Sequence, residues 1–175
     1  PKTWVAVIPS TITRGEPFSL KVKAEDDWGN PTNKASTALA VKSSCPIENL
    51  PELIEVNTGD FATIVPGIVA NITGPLEILL YAPDGSLAAT SNPTFVSDFP
   101  DLKSYWGDLH GQSEETLGTN SATDYFEFGR DRAFLDACAH QGNDFQMTDT
   151  FWKDLNRITS YFNEDGRYVT LPGYE

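Results

Sequence analysis

A chain of 175 residues with a 39% apolar fraction and 10 Phe, 6 Tyr and 4 Trp can fill one sizeable core or two small ones, which excludes a disordered polypeptide. Its net charge of −13, from 12 Lys and Arg against 25 Asp and Glu, excludes binding to a nucleic-acid backbone, and no basic cluster offsets it. No apolar run is long enough to span a bilayer, so a membrane is not an expected partner either.

Residues 1–97 read as an all-β domain. Segments 4–8 and 18–23 alternate apolar and polar side chains, and Pro9, Gly15 and Pro17, and Gly29 and Pro31 punctuate them as turns. Further strands are expected at 39–41, 61–65, 68–69, 76–81 and 87–89, with Ala82-Pro-Asp-Gly85 as a hairpin turn and a short helix within 48–55. Six or seven short strands at this spacing predict an immunoglobulin-like sandwich.

From Asp98 onward the pattern changes: residues 98–175 hold six Lys and Arg against fifteen Asp and Glu, and most of the aromatics. A strand is expected to end in the stretch 104–113, Ser-Tyr-Trp-Gly-Asp-Leu-His-Gly-Gln-Ser. Ser121-x-x-Asp124 matches a capping box with Asp in place of Glu and opens a helix to about Arg132. A buried strand is expected at 134–139. Thr148 or Asp149 then caps a second helix, on which Phe151, Trp152, Leu155, Ile158 and Phe162 recur at helical spacing, and 168–171 forms a third strand. Strand, helix, strand, helix, strand implies parallel pairing with right-handed crossovers.

Sites in parallel α/β folds form at the carboxyl ends of strands. In this chain those ends carry Asp108, His110 and Gln112, then His140 and Gln141, then Glu175. A period of two would turn Asp108, His110 and Gln112 to one face. His110, Gln112, His140 and Glu175 are the candidate metal ligands. Asp108 is expected to orient His110 by accepting its other N–H, while Gln141, Asn143 and Asp144 are candidates for orienting ligands or substrate. Cys45 and Cys138 fall in different domains and are expected to be free thiols, which favours a cytoplasmic setting; Pro1 in place of Met leaves export open.

The run 105–113 resembles the first metal motif of the polymerase and histidinol phosphatase superfamily, and in particular a functionally uncharacterised branch with an N-terminal β-domain. Residues 130–136 (Arg-Asp-Arg-Ala-Phe-Leu-Asp) with 139–146 (Ala-His-Gln-Gly-Asn-Asp-Phe-Gln) resemble the second motif of that branch, and 172–175 (Pro-Gly-Tyr-Glu) the third. Residues 27–31 and 91–93 resemble turns of its β-domain. The resemblance implies that 98–175 is the first three βα units of a distorted (β/α)7 barrel, truncated in a chain that is a fragment of a longer protein. It also implies one to three divalent ions (Zn, Mn or Fe), weakly held in the fragment, and hydrolysis of phosphate esters. His110 would be the first metal-binding histidine and Glu175 the bridging glutamate. The sequence departs from the family where His-x-His reads His110-Gly-Gln112 and where Thr-Asp-His reads Ala139-His140-Gln141; a glutamine carbonyl is a poor replacement for imidazole.

Two functions follow as expectations. In the first, a metal activates water for hydrolysis in the full-length protein by lowering its pKa to about 7, while the fragment itself is inactive. In the second, the chain is a non-catalytic binding or structural module with a degenerate metal site. In either case an incomplete barrel would expose apolar strand flanks and favour self-association.

Overall fold

Alternation of side chains sets the first strands. In β3 (Pro17–Glu25), which follows β1 (Thr3–Val7) and β2 (Thr11–Thr13), Phe18, Leu20, Val22 and Ala24 are buried and the residues between them are not. The computed structural model describes all of residues 1–175, which divide into two units, Pro1–Ser104 and Tyr105–Glu175. The first unit is all β, and both α-helices of the protein lie in the second.

In the first unit, β3 pairs antiparallel with β1 on one edge and with β4 (Pro31–Thr32) and β7 (Thr63–Val69) on the other. A second antiparallel sheet runs in the order β10 (Leu87–Thr90), β9 (Ile78–Tyr81), β5 (Thr37–Ser43), β6 (Leu53–Val56). Leu20, Val22 and Ile68 from the first sheet and Leu39, Ile54, Ile78 and Leu80 from the second share one buried cluster. Each such side chain contributes about 1.5–3 kcal/mol by leaving water.

Three expectations change. The short helix placed within 48–55 is instead β6, because Ile54 and Val56 alternate with exposed Leu53 and Glu55, and Asn49 takes a left-handed φ of 60° that breaks a helix. The separate strands at 61–65 and 68–69 are one strand, β7, which passes through Gly67 at φ +76° where the ladder register shifts. The single strand at 76–81 is two: β8 (Gly74–Leu76) and β9, broken at Glu77. β8 belongs to a small third sheet with β11 (Thr94–Ser97) and β2, two strands too short to be read from the sequence.

The Asn92 side chain acts as a surrogate strand partner. Its Oδ1 accepts from the Ile8 N–H and its Nδ2 donates to the Ile8 carbonyl, both at 2.9 Å. Asn92→Ala removes both bonds from a part-buried backbone segment and is expected to lower stability by about 1–3 kcal/mol in urea unfolding.

The second unit follows the expected order: β12 (Gly107–Gly111), α1 (Ala122–Asp131), β13 (Ala137–His140), α2 (Asp149–Phe162), β14 (Val169–Leu171), all strands parallel in the order β12-β13-β14. Ser121 and Asp124 form the reciprocal capping box, and Thr148 Oγ1 accepts from the Phe151 N–H at 3.1 Å. The strand expected at 134–139 starts only at Ala137, because Phe134 is buried at a φ of 64° and turns the chain out of α1.

Both helices cover one face of this sheet. A Cβ on Gly129 of α1 would lie 2.6 Å from Cys138 Sγ, and Thr170 Oγ1 donates to the Thr159 carbonyl of α2 at 2.7 Å. Ala122, Phe126, Leu155, Phe162 and Tyr168 fill the space between. The unit is thus a small open α/β layer pair. The expectation of three barrel units is cut back here to what is seen, a three-stranded parallel sheet with both helices on one face.

Candidate functional site at the carboxyl edge of the parallel sheet

The site is built by what crosses β12. Asp108 pairs with Cys138 but Gly111 pairs with His140, so β12 spends three steps where β13 spends two. That one-residue bulge breaks the period of two, and with it the expectation that Asp108, His110 and Gln112 share a face. The cause is the Tyr125 ring from α1, which lies across Gly111: a Cβ there would sit 2.1 Å from Tyr125 Cζ. The Tyr125 hydroxyl shares its proton between the carbonyls of Asp108 and Ala139, at 3.2 and 3.1 Å. Burial foremost, then the neighbouring Cys138 and Asp108, raise its pKa, so the phenol stays protonated and keeps donating.

His140 is fully buried. The Gly142 N–H donates to its Nδ1 at 3.2 Å, which leaves the proton on Nε2, 2.8 Å from Ser113 Oγ. Both ring nitrogens are therefore committed inside the protein. Burial lowers the His140 pKa, outweighing Glu115 and the backbone of Gly173, which act in the opposite direction. Ser113 is equally buried and receives a proton where a nucleophile would need to give one up. The pair fastens the 113–118 loop to the end of β13, with Thr116 Oγ1 donating to the Ser113 carbonyl at 3.1 Å.

The other expected residues are distributed around this core. His110 Nε2 lies 3.3 Å from Glu175 Oε2, so these two are brought together, as an exposed pair. The Glu175 backbone is tied to the 142–144 loop: its N–H donates to the Gly142 carbonyl and its carbonyl accepts from the Asp144 N–H. Asp108 Oδ1 accepts from the His110 N–H at 3.1 Å, a local cap on the bulge and not a bond to the imidazole. Gln112 leaves the sheet toward α1, and its Oε1 is buried with no partner. The Gln141 N–H donates to the Gly111 carbonyl, and its side chain packs over Gly173. Asn143 Nδ2 donates to Gln146 Oε1, while Asp144 opens a single 3₁₀ turn, Asp144–Gln146. Sequence reasoning gave no role to Ser113, Tyr125 or Gly142, although Ser113 and Gly142 lie inside the 105–113 and 139–146 motifs.

The expected metal centre is not formed. Nowhere do three His, Cys, Asp or Glu side chains gather as a cation would require. Of the four expected ligands, His140 is occupied on both nitrogens, Gln112 diverges, and only His110 and Glu175 meet.

These features define a β-sheet unit joined in sequence to a small α/β unit. No family model matches the chain. It is 28% identical over 173 residues to an uncharacterised protein of Chlamydia pneumoniae, covering 95% of this chain and 27% of that protein. An uncharacterised protein of Chlamydia muridarum is 29% identical over 171 residues, covering 94% and 27%. The chain thus spans about a quarter of the length of the curated relatives it matches. Among solved structures it is similar to the D0-D1 domain of intimin (TM-score 0.41, 10% identity, 55% of this chain and 48% of that one). It is also similar to the Yersinia pseudotuberculosis adhesin InvE (TM-score 0.38, 17% identity, 62% and 31%). The superfamily resemblance and the phosphoester hydrolysis it implied are corrected accordingly: no family model supports them, and the groups that were to hold and activate water are engaged elsewhere.

Proposed function

We propose that this chain is a non-catalytic binding and structural module: an immunoglobulin-like sandwich in residues 1–97, followed by an α/β domain that docks through the bare face of its parallel sheet. One observation carries this reading. In β13 and β14, Cys138 and Thr170 face the helices, so Ala137, Val169 and Leu171 lie on the opposite face, and Leu109 in the β12 bulge is a further exposed apolar side chain at this sheet. Leu109, Val169 and Leu171 are 60%, 47% and 49% exposed. Parallel sheets normally have both faces covered, so an apolar, uncovered face on one calls for a partner.

The partner to which the reading commits is a second copy of this chain. A net charge of −13 opposes that association, and salt screens the repulsion. Sedimentation velocity is expected to show a dimer that grows with protein concentration and with added salt. Val169→Asp combined with Leu171→Asp should hold the chain monomeric throughout. A wild-type chain that sediments as a monomer at every concentration and salt level would remove the proposal.

A further inference from the structure

A second feature stands apart from the sheet face. Between the 112–120 loop and α1 lies a cavity of about 510 Å³, within the range of small-molecule sites. Its wall carries Gln112, Thr119, Asn120, Asp124, Phe128 and Arg132. Thr119 and Asn120 are exposed, so their side-chain polar groups are open to a ligand. Asp124, also in the wall, takes both the N–H and the hydroxyl of Ser121 on Oδ2. The Phe128 ring, on the same helix, is 45% exposed.

The chemistry of this wall narrows its ligand. An anion is disfavoured by the acidity of the unit, where residues 105–175 hold thirteen Asp and Glu against five Lys and Arg. A cation gains little, because Arg132 stands in the same wall with its guanidinium 3.2 Å from Glu127, which also lines the cavity. What remains is a neutral ligand that both donates and accepts. Adjacent hydroxyls fit that description: each can give a proton to a carboxylate or amide oxygen and take one from an amide N–H. An exposed aromatic ring supplies an apolar surface for the C–H face of a sugar ring. We propose that this cavity is a saccharide-binding site, with Asn120 and Asp124 reading hydroxyls and Phe128 as the stacking surface.

The test uses the whole chain, isotopically labelled, titrated with glucose, galactose, N-acetylglucosamine, maltose and cellobiose while amide chemical shifts are followed. At least one sugar is expected to move the Thr119, Asn120 and Phe128 amides saturably, with Kd on the order of 1 mM. Asn120→Ala and Phe128→Ala replace exposed side chains and should each weaken that binding about tenfold, a change of roughly 1.4 kcal/mol, while leaving the remaining spectrum in place. Shifts that are absent for all five sugars, or unaffected by both substitutions, overturn the proposal. So does tighter binding of spermidine or glucose 6-phosphate at the same amides, since it would make the cavity a charge-recognising site. Sedimentation of the Val169→Asp, Leu171→Asp chain is independent of these shifts, so the two proposals fail separately.

Discussion

Gly111→Ala is expected to unfold the C-terminal unit. The added Cβ would lie 2.1, 2.2 and 2.3 Å from Cζ, Oη and Cε2 of Tyr125, well inside van der Waals contact. The ring cannot simply swing away, because its hydroxyl is anchored to the carbonyls of Asp108 and Ala139 and its edge packs on Phe126. Overpacking of this kind costs about 3 kcal/mol or more when neither side can move. A unit of this size holds on the order of 5 kcal/mol in total, so most of its stability would be lost. Hydrogen exchange at the Ala137–His140 amides reads this unit specifically, and those amides should lose protection in the variant. Tyr125→Ala alone destabilises by leaving a cavity and freeing two carbonyls. Combined with Gly111→Ala it should cost less than the sum, because the clash no longer exists. Wild-type protection in Gly111→Ala would show that the ring does not cross the strand.

Acid is expected to loosen the same unit well before carboxylates titrate. The folded His140 pKa lies below its ordinary value of 6.5, chiefly through burial. The unfolded chain therefore binds the proton more readily than the folded one, and stability rises with pH across the interval between the two values. The contribution is complete above about pH 6.5 and is lost as pH falls toward the folded pKa. Asp26 and Asp84, whose pKa values are lowered by hydrogen bonds, act further down the scale and in the other unit. Urea unfolding at pH 7.5, 6.5 and 5.5, followed at amides of β13, should show this decline. His140→Gln should flatten the pH dependence while reducing stability at pH 7.5, since an amide cannot reproduce both the Ser113 and the Gly142 contacts. A slope unchanged in His140→Gln would mean that another group sets it.

The helices of the second unit were readable because their signals are local. Ser121 with Asp124, and Thr148 before an apolar stripe at helical spacing, fix both starts within a few residues of sequence. The all-β character of the first unit was readable for the same reason, through period-two runs between Gly and Pro turns. What escaped the sequence depends on distant partners. β2 and β11 are three and four residues long and gain strand geometry only from distant partners, Thr11 pairing with Phe95 and Thr94 with Leu76. The bulge in β12 exists because an aromatic ring on a later helix lies over a glycine, and no residue near 108–111 announces it. At the candidate site, His110 and Glu175 meet at the strand ends, whereas nothing in the sequence foresees that His140 turns inward to Ser113. A histidine at a strand end has the same appearance in sequence whether it faces a cation or a buried hydroxyl.

The break at Glu77 has a mechanical consequence for the first unit. The segment 74–81 contributes β8 to the small sheet and, one residue later, β9 to the large one, so a single stretch of backbone is sewn into two separate ladders. Peeling β11 away from β8 transmits tension straight into the seam between β9 and β5. Neither ladder can fray quietly on its own, and the strands around residue 77 should open as one event, a knot in the fabric where an ordinary hairpin would have left a loose end.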